Sequence, residues 1–272
     1  MIEKIEYINK EKLPKGRIKA AVFDFDGTFS TLRCGWEKVM KPLMLECISG
    51  GKKDSYPIEL EEKIDKYIDA STGIQTVYQM QWLKEEVEKA GFSDENHDAW
   101  YYKDEYNRRL LNEISGRIKA LNNKEKCPED FLIKGAVDFL ETLINSGIEV
   151  YLASGTDHCD VVKEAAALGV ADKFTEIKGA PERKAACSKE AVIKMILEEK
   201  NLPGEALLLV GDGKVEIALG AECGAFTIGA ATNEEALEGV NPIKRERLIK
   251  AGADIIIGDF KNLPELKAWL GI

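Results

Sequence analysis

Short apolar runs alternate with amphipathic segments over most of the chain. The runs predict buried strands, and apolar residues at helical spacing predict helices between them. Strands are expected at 20–25, 149–153, 206–210, 226–229 and 254–257, with a short one near 174–177. Helices are expected at 134–146, 160–168 and 189–200. This alternation predicts an α/β fold, with a parallel sheet covered by helices on both faces.

The stretch 31–131 has a different pattern and offers no convincing strand. Apolar residues share one helical face within each of the segments 60–68, 80–90 and 110–121. Three or four amphipathic helices therefore interrupt the α/β pattern directly after its first strand. We predict an inserted all-helical domain over 31–131 and a core domain formed by 1–30 and 132–272.

Composition and charge are those of a soluble globular protein. The chain has 272 residues, of which 44% are hydrophobic, so one or two domains are expected. No apolar run suits a signal peptide or a bilayer span, and the six cysteines show no CxxC spacing. We expect a cytoplasmic protein with reduced thiols, without a membrane partner. A net charge of −10 argues against a nucleic-acid partner, and the sequence favours no particular oligomeric state.

Polar residues follow three of the predicted strands. They are Asp24 and Asp26 after the first, Ser154, Gly155 and Thr156 after the second, and Asp212 with Glu216 after the third. A strand that ends in a turn would explain Asp26, but not a carboxylate at Asp24, where the strand should still be apolar. Ligands of open parallel sheets bind beyond the carboxyl ends of the strands. If these strands are neighbours, their carboxylates offer the oxygen ligands that suit Mg²⁺.

Taken together, these motifs resemble those of the haloacid dehalogenase superfamily, mainly its phosphatases. The first motif is matched by the run from Asp24 to Thr28, the second by Ser154, the third by Lys189 and the fourth by the run from Gly211 to Glu216. Glu216 stands where the family often has Asp. The resemblance implies a Rossmann-like core, a helical cap inserted between the first two motifs, and a phosphoric monoester hydrolase.

The resemblance also implies the catalytic roles. Asp24 would be the nucleophile and form an aspartyl phosphate, and Asp26 would be the general acid and base. Ser154, with Gly155 and Thr156, would bind the phosphoryl oxygens. Lys189 would neutralise charge between the nucleophile and the phosphate.

The same resemblance implies a Mg²⁺ site. The ion would be held by the Asp24 carboxylate, the Asp26 backbone carbonyl and the Asp212 carboxylate. Glu216 would act through a bound water or as an outer acceptor. With Asp26 protonated, the remaining carboxylates would be balanced by Mg²⁺ and the lysine.

Two assignments have alternatives in the sequence. Ser154 could simply cap a helix. Lys184 lies close to Lys189, but Ser188 has the character of a helix N-cap, which would place Lys189 in the first turn, pointing back toward the strand ends.

The inserted domain offers two candidate substrate contacts. Arg33, beside the first crossing, could meet a second anionic group or sugar hydroxyls. Gln75, in the break 71–75 between two helices, could bind a hydroxyl. For each, an ordinary surface turn is the alternative.

A cap over such a crevice suits a small phosphorylated metabolite, and a sugar phosphate is our leading expectation. A phosphomutase that uses the same aspartates is the alternative. A non-catalytic metabolite-binding protein is a third reading, which the filled catalytic positions do not favour.

Overall fold

The sheet is the centre of the molecule. The structure, a computed structural model, describes residues 4–51, 56–92, 97–185 and 188–272, apart from the side chain of Ser188. The strands are β1 (Glu6–Tyr7), β2 (Ala20–Phe23), β3 (Glu149–Asp157), β4 (Glu176–Ala180), β5 (Leu207–Gly211), β6 (Phe226–Ala230) and β7 (Ile255–Ile257). In these ranges they form one sheet in the order β1-β7-β6-β5-β2-β3-β4, and only β1 pairs antiparallel.

Helices connect the strands and cover both faces of the sheet. They are α1 (Glu37–Ile48), α2 (Ile58–Ala70), α3 (Thr76–Ala90), α4 (Ala99–Asn122), α5 (Ala136–Asn145), α6 (His158–Ala167), α7 (Ser188–Glu199), α8 (Lys214–Cys223), α9 (Pro242–Ala251) and α10 (Leu263–Leu270). No helix in the described ranges is both long and apolar enough to cross a membrane. The predicted α/β fold is confirmed, although β1 was not predicted, because two residues are too few to show a pattern.

Strand β2 lies between β3 and β5. All four of its residues are buried, and Phe23 pairs in register with Leu152 on one side and with Val210 on the other. The three strands are parallel, so their carboxyl ends reach the same edge of the sheet. The neighbour relation on which the predicted site depends is therefore present.

Alternating side chains divide the core between the two faces of the sheet. On one face, the ring centroid of Phe23 lies 5.9 Å from that of Phe139 in α5 and 6.4 Å from that of Phe260. On the other face, Val22 belongs to a hydrophobic cluster with Val192 and other residues of α7. A strand buried on both sides holds the residue that follows it in a fixed position.

The helices α1 to α4 have a hydrophobic cluster of their own. Its fully buried members include Met40, Leu43, Ile64, Met80 and Ile114. The two chain segments that join these helices to the sheet run side by side, and Ser30 bridges Leu132 there. These features support the predicted inserted domain, whose limits at 31 and 131 stay predictions.

Candidate active site

Three carboxylates meet at the carboxyl edge of the sheet. Asp24 continues β2, and its backbone N–H donates to Val210 O at 2.9 Å. Asp212 follows β5, and Glu216 lies in the first turn of α8. One ligand oxygen from each of these three buried acids lies within 4.8 Å of the others. Residues almost two hundred positions apart in sequence are thus brought into one cluster.

Lys189 lies between two of these acids. Its Nζ is 2.8 Å from Asp24 Oδ2 and 2.7 Å from Glu216 Oε2, and only 3% of the residue is exposed. Burial alone would lower the pKa of Lys189, but the two carboxylates raise it above its ordinary value, so the lysine is charged. Lys184 is exposed. The geometry favours Lys189, whereas the predicted cap by the Ser188 side chain lies outside the described part.

The surroundings of the Asp24 carboxyl disfavour its charged form. Burial raises its pKa well above the ordinary value, the charge of Lys189 opposes that rise, and the carboxylates of Glu216 and Asp212 add to it. A cation among these oxygens would relieve the repulsion. Hard carboxylate oxygens suit Mg²⁺, so Asp24 and Asp212, with Glu216 beside them, fit such an ion.

Glu216 is held from two sides. Its Oε1 accepts a 2.6 Å hydrogen bond from Gly213 N, which caps α8, and its Oε2 accepts from Lys189. Both carboxylate oxygens therefore have partners in the protein, as do those of Asp24, whose Oδ1 accepts from Phe25 N at 2.8 Å and whose Oδ2 accepts from Lys189. The cap on α8 and the bond to Lys189 suit Glu216 to the predicted outer role, as an orienting acceptor for Lys189.

Asp26 lines the same cleft as Asp24 and Asp212 and is bound by two hydroxyls. Thr156 Oγ1 donates to Asp26 Oδ2 at 2.8 Å, and Ser154 Oγ donates to the same oxygen at 3.3 Å. Burial raises the pKa of Asp26, whereas Arg33 and the hydroxyls oppose the rise. A raised pKa suits a group that must donate a proton. Thr156 therefore orients Asp26, a contact that the sequence did not predict.

The guanidinium of Arg33 already interacts with carboxylates of the protein. Its Nε lies 3.1 Å from both carboxylate oxygens of Glu164 in α6, and its Nη2 is 3.6 Å from Asp160. Asp26 Oδ1, which has no hydrogen-bond partner, is 3.9 Å from Arg33 Nε. Arg33 borders the cleft, but three acids already share its charge. The predicted contact between Arg33 and a second anionic group of the substrate therefore lacks support and stays a prediction.

The cleft is small, about 100 Å³, and its outer wall is supplied by α3, α4 and the segments before α1 and α3. The wall side chains from these helices and their connections are uncharged: Trp36, Thr72, Ile74, Thr76, Gln79, Tyr106 and Leu110. The turn before α3 touches the sheet edge, because a Cβ at Gly155 would lie 3.2 Å from Ile74 O, and one at Gly73 would lie 3.2 Å from Gly213 Cα. The predicted turn 71–75 therefore does face the aspartates.

Gln75 differs from its neighbours in this turn. Its side-chain nitrogen and oxygen are buried and have no hydrogen-bond partner, and the residue is not among those that line the cleft. Gln79, one turn later, does line the cleft and donates to Ser71 Oγ at 3.1 Å. A role for Gln75 in substrate binding stays a prediction.

Two functional candidates were missed by the sequence reading. Glu234 lines the cleft, and Lys244 in α9 binds both Glu234 Oε1 and Asp212 Oδ2 at 2.6 Å. Glu234 lies four residues beyond the end of β6, so the rule that ligands bind beyond strand ends could have found it. Lys244 gives no such signal, because its neighbours Arg245 and Arg247 make the segment look solvated.

The glycine after Asp26 allows the close approach of Asp212. Gly27 has a left-handed backbone with φ of +72°, and a Cβ there would lie 2.3 Å from Asp212 Oδ2. A larger residue would therefore be strained and would also push Asp212 away from Asp24.

Solved structures with the same fold are numerous. A crystal structure described as a predicted phosphoglycolate phosphatase from Haemophilus somnus is 15% identical with a TM-score of 0.61, covering 92% of this chain and 98% of that one. A β-phosphoglucomutase from Clostridium difficile is 16% identical with a TM-score of 0.62, covering 93% and 97%. A predicted phosphatase from Clostridium acetobutylicum is 16% identical with a TM-score of 0.59, covering 92% and 98%. At such identities, the likeness concerns the fold.

A comparison with curated proteins found no match. The model of one protein family, described as haloacid dehalogenase-like hydrolase, matches residues 18–224, which is most of the chain and includes each of the four motifs. The predicted resemblance is confirmed: this protein belongs to the haloacid dehalogenase-like hydrolases.

Proposed function

We propose that the protein is a Mg²⁺-dependent phosphatase that hydrolyses a small phosphorylated metabolite through an aspartyl phosphate on Asp24. The observation that carries the proposal is the convergence of Asp24, Asp212 and Lys189 at one edge of the sheet, in a cleft that Asp26 also lines. A buried carboxylate beside a fixed ammonium and an acid held by hydroxyls provides a nucleophile, an electrostatic stabiliser and a proton donor.

The reaction would proceed in two displacements at phosphorus. An Asp24 oxygen forms a bond to phosphorus while the ester P–O bond breaks, and Asp26 gives its proton to the departing oxygen. Asp26, now a carboxylate, then takes a proton from water, whose oxygen attacks phosphorus and releases Asp24 and inorganic phosphate. Lys189, with Ser154 and the backbone of Gly155 and Thr156, would hold the phosphoryl oxygens.

Asp24, Asp212 and the backbone carbonyl of Asp26 would hold the Mg²⁺. When bound, the ion supplies positive charge that offsets the phosphoryl oxygens and the buried acids. Glu234 and Lys244 carry opposite charges, so they leave the predicted balance among the acids, Mg²⁺ and Lys189 unchanged.

The uncharged outer wall favours a neutral leaving group. A polyol or sugar could form hydrogen bonds with the wall, which offers the hydroxyls of Thr72, Thr76 and Tyr106 and the amide of Gln79. Arg33, which also lines the cleft, already interacts with three carboxylates of the protein. A second phosphate or a carboxylate on the leaving group would meet no unshared cation among the described residues that line the cleft. A monophosphate of a sugar or polyol is therefore our proposed substrate, in the cytoplasm as the sequence predicts.

Release of inorganic phosphate tests the proposal. Phosphorylated metabolites should be screened with Mg²⁺, and Mg²⁺ replaced by excess chelator should abolish turnover. Asp24→Asn should form no phosphoenzyme and lose turnover. Full activity in that variant, or unchanged hydrolysis in chelator, would refute the proposal. Conversion of a sugar phosphate to its isomer without phosphate release would instead identify a phosphomutase, the activity for which one structural neighbour is named.

A further inference from the structure

Helix α9 reaches the acidic cluster with a basic side chain. Lys244 is the third residue of α9, and its backbone N–H donates to the Asn241 side chain, which caps the helix. Its Nζ is 2.6 Å from Asp212 Oδ2 and 2.6 Å from Glu234 Oε1, and 12% of its side chain is exposed. A largely enclosed lysine that bonds two acids, one of them the buried Asp212, is not a solvated surface charge.

The same helix also contacts the backbone of the Asp212 loop. Arg247, one turn after Lys244, donates to the backbone carbonyl of Asp212 at 3.1 Å and to Asp69 of α2 at 3.1 Å. Residues of α9 therefore form hydrogen bonds with both the side chain and the backbone of Asp212. The position of its carboxylate depends on this helix as well as on β5.

Lys244 and Glu234 carry opposite charges and therefore have opposite electrostatic effects at the Asp212 carboxylate. The ammonium of Lys244 lies against a carboxylate that our proposed function assigns to Mg²⁺, so it competes with the ion for negative charge. Glu234 accepts a hydrogen bond from the same Nζ and partly compensates its charge. Removal of either member would leave the charge of the other one unopposed beside Asp212.

We infer that Lys244 and Glu234 are positioning residues that act through Asp212 and set the affinity of the site for a divalent cation. The inference rests on the proposed metal role of Asp212. Lys244 fixes one carboxylate oxygen and weakens the hold on the cation, and Glu234 counteracts that weakening. The pair thus keeps Asp212 in place while leaving the cation exchangeable.

Calorimetric titration of the metal-free protein with MgCl₂ tests this inference. Lys244→Met should bind Mg²⁺ about tenfold more tightly than the unmodified protein, and Glu234→Gln about tenfold more weakly, since each removes one charge beside a divalent site. The double variant should lie within about threefold of the unmodified protein, because the two changes offset each other. Lys250→Met is the matched control, because Lys250 lies on α9 but its side chain is 78% exposed.

A purely structural pair would behave differently. Both single variants would then lower the melting temperature equally with and without Mg²⁺, and their Mg²⁺ dissociation constants would stay within about twofold of the unmodified value. That result would overturn the inference, and Glu234→Gln alone decides it if Lys244→Met does not fold. An unmodified protein that binds no Mg²⁺ would instead overturn the proposed function, and this inference with it.

Discussion

At the scale of single residues, Lys189 is the centre of the site. It neutralises two buried carboxylates, Asp24 and Glu216, and it is buried with them. An isolated buried charge is costly, so each member of this trio depends on the others. In the proposed reaction, the same ammonium faces the phosphoryl group and offsets charge where it develops.

Lys189→Met should therefore lower kcat/KM for phosphate release by about 10²–10³-fold, the range seen when a preorganised electrostatic donor is removed. Lys184→Met removes an equal charge from an exposed site nearby and should change kcat/KM less than about twofold. Steady-state phosphate release at saturating Mg²⁺ measures both. If both variants lost kcat/KM to a comparable extent, Lys189 would contribute only to the net charge of the protein and not to a specific contact in the site.

The raised pKa of Asp24 predicts that Mg²⁺ binding releases protons. Burial and the neighbouring acids shift Asp24 toward its protonated form in the metal-free protein, and a bound cation favours its carboxylate form. The pKa of Asp24 is higher in the folded protein than in the unfolded chain, so the folded state holds more protons between these two pKa values. The metal-free protein should therefore lose stability as the pH rises through this interval. Mg²⁺ affinity should accordingly fall as pH is lowered through the raised pKa of Asp24.

Titrations in buffers of different ionisation enthalpy count the released protons. Asp24→Asn should release fewer protons than the unmodified protein because it has no carboxyl to titrate. A binding enthalpy that is the same in every buffer would exclude the raised pKa as a factor in metal binding.

At the scale of elements, the sequence could predict what depends on local pattern. Asp24 and Asp212 stand directly after apolar runs, and the parallel arrangement that joins them follows from the alternation of strands and helices. Lys244 could not be predicted, since its contact with Asp212 depends on how α9 packs against β6. The sequence assigns Thr156 to the substrate and gives no sign that its hydroxyl binds Asp26, because that contact lies beyond the residues of β3 that pair with β2.

The crossing into α1 is held to α6 through Arg33. Arg117 of α4 steadies the same segment, because its Nη1 donates to Leu32 O at 2.6 Å and to Cys34 O at 3.0 Å. The side chain of Arg33 then reaches Glu164, which is itself 1% exposed. One buried ion pair thus connects the start of the helical insertion to the core.

Arg33→Met should lower the free energy of unfolding by about 3–5 kcal/mol, because it leaves Glu164 buried without its partner. Arg108→Met removes an arginine from a surface ion pair with Glu105 and should cost less than about 1 kcal/mol. Denaturant unfolding in the absence of Mg²⁺ measures both variants. Equal costs would mean that the Arg33 pair is no more important than a surface pair, and a partial recovery in Arg33→Met/Glu164→Leu would support the buried-charge explanation.

At the scale of the whole molecule, the proposed catalytic groups and the side chains that face them come from different parts of the fold. The proposed catalytic groups emerge from the sheet edge and its flanking helices, whereas the uncharged wall comes from the insertion. The two parts meet where the turn before α3 touches the glycines of the sheet loops, Gly155 and Gly213. Such a division separates reaction from recognition, so variants of the wall should change the choice of substrate more than the chemical step.

Two glutamines, one in this wall and one beside it, allow a direct test of that separation. Gln79 lines the cleft, whereas the Gln75 amide is buried away from it. Gln79→Ala should lower kcat/KM for the preferred metabolite about tenfold, the scale of one lost hydrogen bond to a substrate hydroxyl, while p-nitrophenyl phosphate, which offers no such hydroxyl, should be hydrolysed at nearly the unmodified rate. Gln75→Ala should leave the ratio of the two substrates unchanged. If Gln75→Ala changes that ratio and Gln79→Ala does not, the contact predicted from the sequence is the correct one, and the turn must rearrange when substrate binds.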